Sequence, residues 1–256
     1  MAEQRPGIPV VRNRALDEAA AAAVVVFIDD DERPRPGWLS ALLDTWRATG
    51  AAVVCGRVVV EATAGLDPWI EAGGFFARPE RPTGTPLTAA STCNLLVDRG
   101  QVAALGVRFA DELGMRGGED TLFTRSVHRA GGALVWCNES VVTDVVPASR
   151  TTRTWVLRRS WSHGNVQVLT GLRLAPGARA RAALRLRALA GGAGRVVGGA
   201  ARWLGGTLGR SVSHRARGLR LVFRGAGMVA ASVGVAVEEY ARPAQRSPRR
   251  RGGAGS

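Results

Sequence analysis

The chain has 256 residues, 46% hydrophobic and 22% charged, proportions that exclude a wholly disordered, collagen-like or disulfide-stapled protein and suit one substantial domain with a smaller appendage. Its 35 basic side chains are all arginine and the net charge of +14 is unevenly placed. Residues 1–150 carry 15 Arg against 19 Asp and Glu, a net of −4, whereas residues 151–256 carry 20 Arg against Glu238 and Glu239, a net of +18.

That asymmetry implies an anionic partner for the second part: a membrane surface, nucleic acid or polyphosphate. Cys55, Cys93 and Cys137 form no CxxC pair, which argues against a zinc site or disulfide framework and for small buried hydrophobes in a reducing cytoplasm. Met1–Pro6 lacks an apolar signal core, and no window reaches the roughly 18–20 apolar residues of a membrane span.

In chain order, Asn13 is expected to cap a helix over Arg14–Ala23, with Asp17 and Glu18 in its first turns. Val24–Ile28 is a continuous β-branched and aromatic run of the kind shown by strands buried on both faces, and it ends in Asp29-Asp30-Asp31-Glu32. Pro34, Pro36 and Gly37 turn the chain into a helix bearing Trp38, Leu42 and Trp46, which Gly50 stops before a strand over Ala51–Val60. This alternation predicts an α/β sheet with its ligands at the carboxyl ends of the strands, where the acidic run lies.

Residues 63–92 are rich in Gly, Pro and Thr and predict a short helix and a mobile loop. A strand over Asn94–Val97 and a helix over Asp98–Leu105 follow. A loop then delivers Glu119-Asp120 to the start of a helix that Gly131-Gly132 ends. Two short strands are expected over Ala133–Cys137 and Ser140–Val146, then a basic-faced helix from Arg150 broken at Gly164.

In an extended segment alternate side chains share a face, so Asp29 and Asp31 would point together at one cation. Mg²⁺ or Mn²⁺ prefers such oxygen ligands, usually one or two carboxylates completed by phosphate oxygens, which suggests a diphosphate ester as substrate. An EF-hand does not fit, because the sixth loop position would be Pro34. By itself the run also reads as a solvated acidic loop, and Glu119-Asp120 as an acidic helix start.

Taken together, Arg12-Asn13-Arg14-Ala15-Leu16, the strand into Asp29-Asp30-Asp31-Glu32, Pro36-Gly37-Trp38-Leu39 and Gly117-Gly118-Glu119-Asp120 resemble, in order and spacing, the family 2 glycosyltransferases of the GT-A fold. The resemblance implies an α/β fold, a GT-A-type mixed sheet flanked by helices. It also implies inverting, metal-dependent transfer from a nucleoside-diphosphate-sugar donor to a saccharide or lipid-linked acceptor of a bacterial envelope or polysaccharide. It puts the metal, Mg²⁺ or Mn²⁺, on Asp29 and Asp31, with donor contacts on Arg12, Asn13, Asp29 and Asp30. Base catalysis falls to Asp120, with Glu119 orienting it or binding acceptor. Asn94, Trp155, Arg158 and Arg159 resemble positions that contact the acceptor or close over the diphosphate.

The resemblance also departs in places. Where many members carry a metal-ligating histidine this sequence has Thr143-Asp144, so Asp144 is the candidate third ligand, with His163 the nearest histidine. The QxxRW pattern of processive members is absent, which favours addition of one or a few sugars. The match begins near Gly7 and lacks the opening βαβ portion of such a domain, so the chain is expected to be N-terminally truncated, through a late-assigned start or as a fragment with weak or no activity.

The expected organisation is a partial GT-A domain over 1–170, a basic amphipathic helical region over 171–242 and a disordered basic tail over 243–256. In the basic region Arg alternates with Leu, Val and Trp, and Gly225–Val237 is small and apolar, the composition of helices lying at an anionic membrane surface. Peripheral attachment at the inner face of the cell membrane follows from that reading, whereas nucleic acid is disfavoured because no recognition motif is present. The alternative is a non-catalytic glycosyltransferase-like protein that binds membrane or a partner enzyme.

Overall fold

The computed structural model describes residues 5, 7–114 and 117–236. The tail expected over 243–256 lies outside the described residues. Five strands form one mixed sheet in the order β1-β4-β3-β5-β2, comprising β1 (Val24–Phe27), β2 (Glu32–Pro34), β3 (Val53–Ala62), β4 (Leu95–Asp98) and β5 (Leu134–Val146). Strands β3 and β5 run parallel; the β1/β4, β3/β4 and β2/β5 pairs are antiparallel.

Strand periodicity of two explains why these segments are so apolar. Val53, Cys55, Leu95, Val97, Leu134 and Trp136 face one layer, with Phe109, Phe123 and Val127. Their alternates Val54, Leu96, Val135 and Cys137 face the other, with Leu42. The second layer is covered by α2 (Trp38–Thr49), whose Trp38, Leu42 and Trp46 recur at helical spacing, and Gly50, at φ 61°, closes that helix. The first is covered by α4 (Arg99–Ala104) and α5 (Glu119–Arg129) and by Leu16 of α1 (Ile8–Glu18).

Three expectations are corrected. Helix α1 starts at Ile8 and ends at Glu18, so Asn13 lies in its middle, and Asp17 and Glu18 fall in its last turn. Pro9 at the helix start sets the boundary, because its missing N–H is an unsatisfied donor there in any case. The two short strands expected after Gly132 are one strand, β5, whose pairing with β3 jumps between Gly56 and Arg57. Finally, α6 (Arg153–Leu174) runs unbroken through Gly164, where a Cβ would meet the Arg224 carbonyl oxygen at 2.0 Å, so the glycine admits a neighbouring helix and does not end its own.

That neighbour is α8 (Val212–Ser232), which lies against α6, against α7 (Gly177–Leu208) and against the short helix α3 (Pro68–Gly73). Trp69 and Ile70 of α3, Val156 of α6 and Ala216 of α8 form a buried cluster that joins the basic helices to the rest of the chain. Of the small run over Gly225–Val237 expected at a membrane surface, Gly225–Ser232 is largely buried against α6 and α7, residues 233–236 are exposed, and Val237 lies outside the described residues. Among the described residues no helix is long and apolar enough to cross a membrane.

Candidate active site

The acidic run at the end of β1 does not stay extended. The Glu32 N–H donates to the Asp29 carbonyl at 3.1 Å and the Asp29 N–H to the Glu32 carboxylate at 3.0 Å, closing a turn over 29–32. The turn is stapled to β5, because Glu32 pairs with Asp144 across the sheet and the Val145 N–H donates to the Asp31 carbonyl at 3.1 Å. The shared-face argument for Asp29 and Asp31 is thereby replaced by a tight turn, which clusters the carboxylates by backbone reversal.

The second acidic pair opens α5. Gly117 and Gly118 take φ of 75° and 83°, a left-handed approach that favours glycine, and Glu119 and Asp120 occupy the first turn, where the helix dipole favours negative charge. Glu119 is buried. Its Oε1 accepts from Arg12 Nη1 at 2.5 Å, and Arg12 Nη2 stands 3.8 Å from Asp29 Oδ1. One guanidinium on α1 thus bridges the two acidic groups, held over the Phe109 ring at 5.7 Å.

The electrostatics record the crowding. Burial raises the Asp29 carboxyl above its usual range; Arg12 opposes this, and the charges of Asp31, Asp120 and Asp30 add to it. Glu32 is pushed up to about 7, first by burial and then by Asp29, Asp144 and Asp31. Glu119 is raised by burial and by Asp120, against the pull of Arg12. A site with this excess of carboxylates favours cations.

In this geometry arginines supply part of that charge. Arg150 donates to Asp31 at 2.7 Å and Arg78 to Asp144 at 3.0 Å. Asp29, Asp31 and Asp144 therefore do not assemble as the expected trio: among the described residues no group of three His, Cys, Asp or Glu side chains converges to hold a metal. The donor set does fit a hard cation held by one or two carboxylates, Asp29 and Asp31, with the remaining positions filled by diphosphate oxygens and water. Desolvation and the charges of Arg159, Arg224, Arg78 and Arg220 lower His163 to about 4, a setting hostile to a bound cation as well.

The other expected site residues scatter. Asn13 is buried, its amide donating to the Phe109 carbonyl at 2.9 Å and to Asp111 at 2.7 Å while its oxygen accepts from the Phe109 N–H at 3.0 Å. That latches α1 to the loop before α5 and so helps to position Arg12. Asn94 is fully buried at φ 60°, its amide donating to the carbonyls of Arg57 at 3.0 Å and Ser140 at 2.9 Å and its oxygen accepting from Trp38 Nε1 at 2.6 Å and Ser140 Oγ at 3.1 Å. With no exposed atom left to offer an acceptor, it braces the irregularity between β3 and β5. Trp155 stacks on Phe76 at 6.1 Å beside the α3–α6–α8 cluster. Arg158 is exposed and Arg159 half-buried on α6.

Arg150 and Arg78 were not singled out as partners of the acidic residues. Each lies far in sequence from the carboxylate it meets, so no spacing rule could have paired them. Asp30 stays exposed at the head of the turn, and Asp120 accepts from the Thr121 N–H at 2.5 Å.

Residues 1–106 match the family described as Glycosyl transferase family 2. The chain is 33% identical over 157 residues to the succinoglycan biosynthesis protein ExoM of Rhizobium meliloti (strain 1021), covering 61% of this chain and 50% of that protein, so it spans about half the length of the curated relative it matches. Among solved structures it is similar to GalNAc-T7 with UDP, GalNAc and Mn²⁺, at 14% identity and TM-score 0.45, covering 65% of this chain and 38% of that one. It is also similar to residues 1–349 of S. aureus TarS in complex with UDP, at 15% identity and TM-score 0.43, covering 70% and 49%.

Proposed function

We propose, from the match of residues 1–106 to the family described as Glycosyl transferase family 2, that the site around Arg12 serves metal-dependent, inverting transfer of a sugar from a nucleoside diphosphate to a polysaccharide or envelope acceptor. The observation that carries the reading is the Arg12 bridge, which brings two acidic groups, Asp29–Glu32 and Glu119–Asp120, to one place. Inverting transfer needs a carboxylate on one side of the sugar and charge compensation for a departing diphosphate on the other. The likeness to a succinoglycan biosynthesis protein favours a polysaccharide acceptor.

In this mechanism Asp120 takes the proton of the acceptor hydroxyl as its oxygen bonds to the anomeric carbon and the bond from that carbon to the diphosphate breaks. A Mg²⁺ or Mn²⁺ ion held by Asp29 and Asp31, when bound, would neutralise the diphosphate. Arg150 reaches Asp31 at 2.7 Å, and its guanidinium would offer bidentate contacts to phosphate oxygens beside that carboxylate. Arg12 pairs with Glu119 and fixes it, so that Asp120, next to it on the first turn of α5, is held toward the site. Asp30, exposed at the head of the turn, is open to the donor.

The second reading, a non-catalytic relative that binds a membrane or a partner enzyme, is favoured by the arginines that tie up Asp31 and Asp144. Calorimetric titration with UDP, GDP and dTDP in the presence of Mn²⁺ separates the two. Metal-dependent binding of one nucleotide, lost in Asp31→Ala, is the expected result. Absence of binding by all three would leave the second reading.

A further inference from the structure

Helix α7 is built inside out for a helix that packs on a protein. Its buried line is glycine: a Cβ at Gly199 would stand 2.7 Å from the Gly218 carbonyl oxygen of α8, one at Gly192 2.8 Å from that of Gly225, and one at Gly206 2.6 Å from the Cβ of His214. The two backbones therefore meet almost in contact, and the large aliphatic side chains are left on the opposite side. At 100° per residue Leu186, Val197, Leu204 and Leu208 fall within about 40° of one line, with alanines between them. All four are exposed, at 68%, 70%, 54% and 85%. The stripe extends over about 33 Å, and none of the described residues covers it.

Its charge surroundings select the occupant. Between residues 177 and 236 there are eleven arginines and no aspartate or glutamate, with Arg179 in line with the stripe and Arg187 beside it. A second copy of this face would set arginine against arginine with no acidic residue to relieve it, the reverse of the flanking pattern that pairs helices. A polynucleotide satisfies the arginines but leaves four aliphatic side chains in water. A bilayer leaflet containing anionic lipid meets both demands: acyl chains take the stripe and headgroups take the guanidinium groups.

We propose that the outward face of α7, from Leu186 to Leu208, is a membrane-docking surface that lies in the headgroup region of an anionic leaflet. This relocates the interfacial element from the run expected over Gly225–Val237, of which Gly225–Ser232 is largely used in packing, to the helix outside it. The surface is independent of the acidic site, so it stands whether or not that site transfers sugar.

The test is sedimentation of the full chain with vesicles of 70:30 phosphatidylcholine and phosphatidylglycerol and with vesicles of phosphatidylcholine alone. It is run on the wild type and on a Val197→Ser/Leu204→Ser/Leu208→Ser variant, with circular dichroism and the thermal midpoint confirming that the variant is folded. The wild type should partition to the anionic vesicles at least about tenfold more strongly than to the neutral ones, and the serine variant, whose charge is unchanged, should lose about tenfold. Equal sedimentation of variant and wild type would overturn the proposal, since the arginine-rich sequence alone would then account for binding. Failure of the wild type to sediment with anionic vesicles would overturn it too. So would a serine variant that changes the mass in sedimentation velocity, or loses affinity for a single-stranded polynucleotide, while keeping its vesicle binding.

Discussion

At the scale of residues, two side chains decide whether the site holds its shape. Arg12 compensates the buried Glu119, so Arg12→Met strands a carboxylate in a low-dielectric setting. Breaking such a pair is expected to cost about 3 kcal/mol in chemical denaturation, and adding Glu119→Gln should return much of it. Asn94 satisfies Trp38 Nε1, Ser140 Oγ and two carbonyls at once. Asn94→Ala is expected to lose about 3 kcal/mol by leaving those groups unpaired in the core, with unfolding in urea as the measurement. Both residues were legible as important from the motif, but the role of Asn94 was not, because a motif reports a position in the chain and not its burial.

At the scale of elements, caps and glycines set lengths and approaches. Asp98 ends β4 and caps α4, accepting from the Gln101 N–H at 2.9 Å and from Trp46 Nε1 at 3.0 Å. Burial lifts its carboxyl, but the hydrogen bonds from Gln101 and Trp46 outweigh it and hold the pKa below 3.8. A depressed carboxylate contributes stability above its unfolded pKa and loses it as pH falls through the folded value. The deficit of Asp98→Ala, expected near 1 kcal/mol at pH 6, should therefore shrink below pH 3.8 when urea midpoints are compared.

Glycines of α7 divide by what faces them. Gly199→Leu would drive a side chain into the α8 backbone and should lower the thermal midpoint by several degrees. Gly194→Ala, with nothing within 4 Å of its Cβ, should stabilise by up to about 1 kcal/mol. Sequence periodicity marks both as glycines in a helix; only the neighbouring helix distinguishes them.

At the scale of the whole molecule, an acidic α/β layer and an arginine-rich helical layer are joined through the cluster of Trp69, Ile70, Val156 and Ala216. Ile70 is 1% exposed. Ile70→Ala is expected to cost about 3 kcal/mol and, because the cluster couples the layers, to give a thermal transition broader than the wild type's or split in two. Differential scanning calorimetry would show it. The division of charge was plain in the sequence, since it needs only counting, whereas the joint draws Trp69 and Ile70, from a segment read as a short helix and a loop, together with the distant Val156 and Ala216.

What the sequence determined alone is whatever depends on neighbours along the chain: the apolar strands, the helix stops at Gly50 and Gly131, the two acidic motifs and the excess of arginine. Period and composition express these directly, because local backbone preference and burial of one face repeat at fixed intervals. Contacts between distant segments were left to the tertiary structure. The Arg12 bridge, the capture of Asp31 by Arg150 and of Asp144 by Arg78, the full burial of Asn94 and the outward turn of the α7 aliphatic stripe all arise from how elements pack. No interval along the chain encodes them, since which groups share a low-dielectric space is fixed only when the layers close on one another.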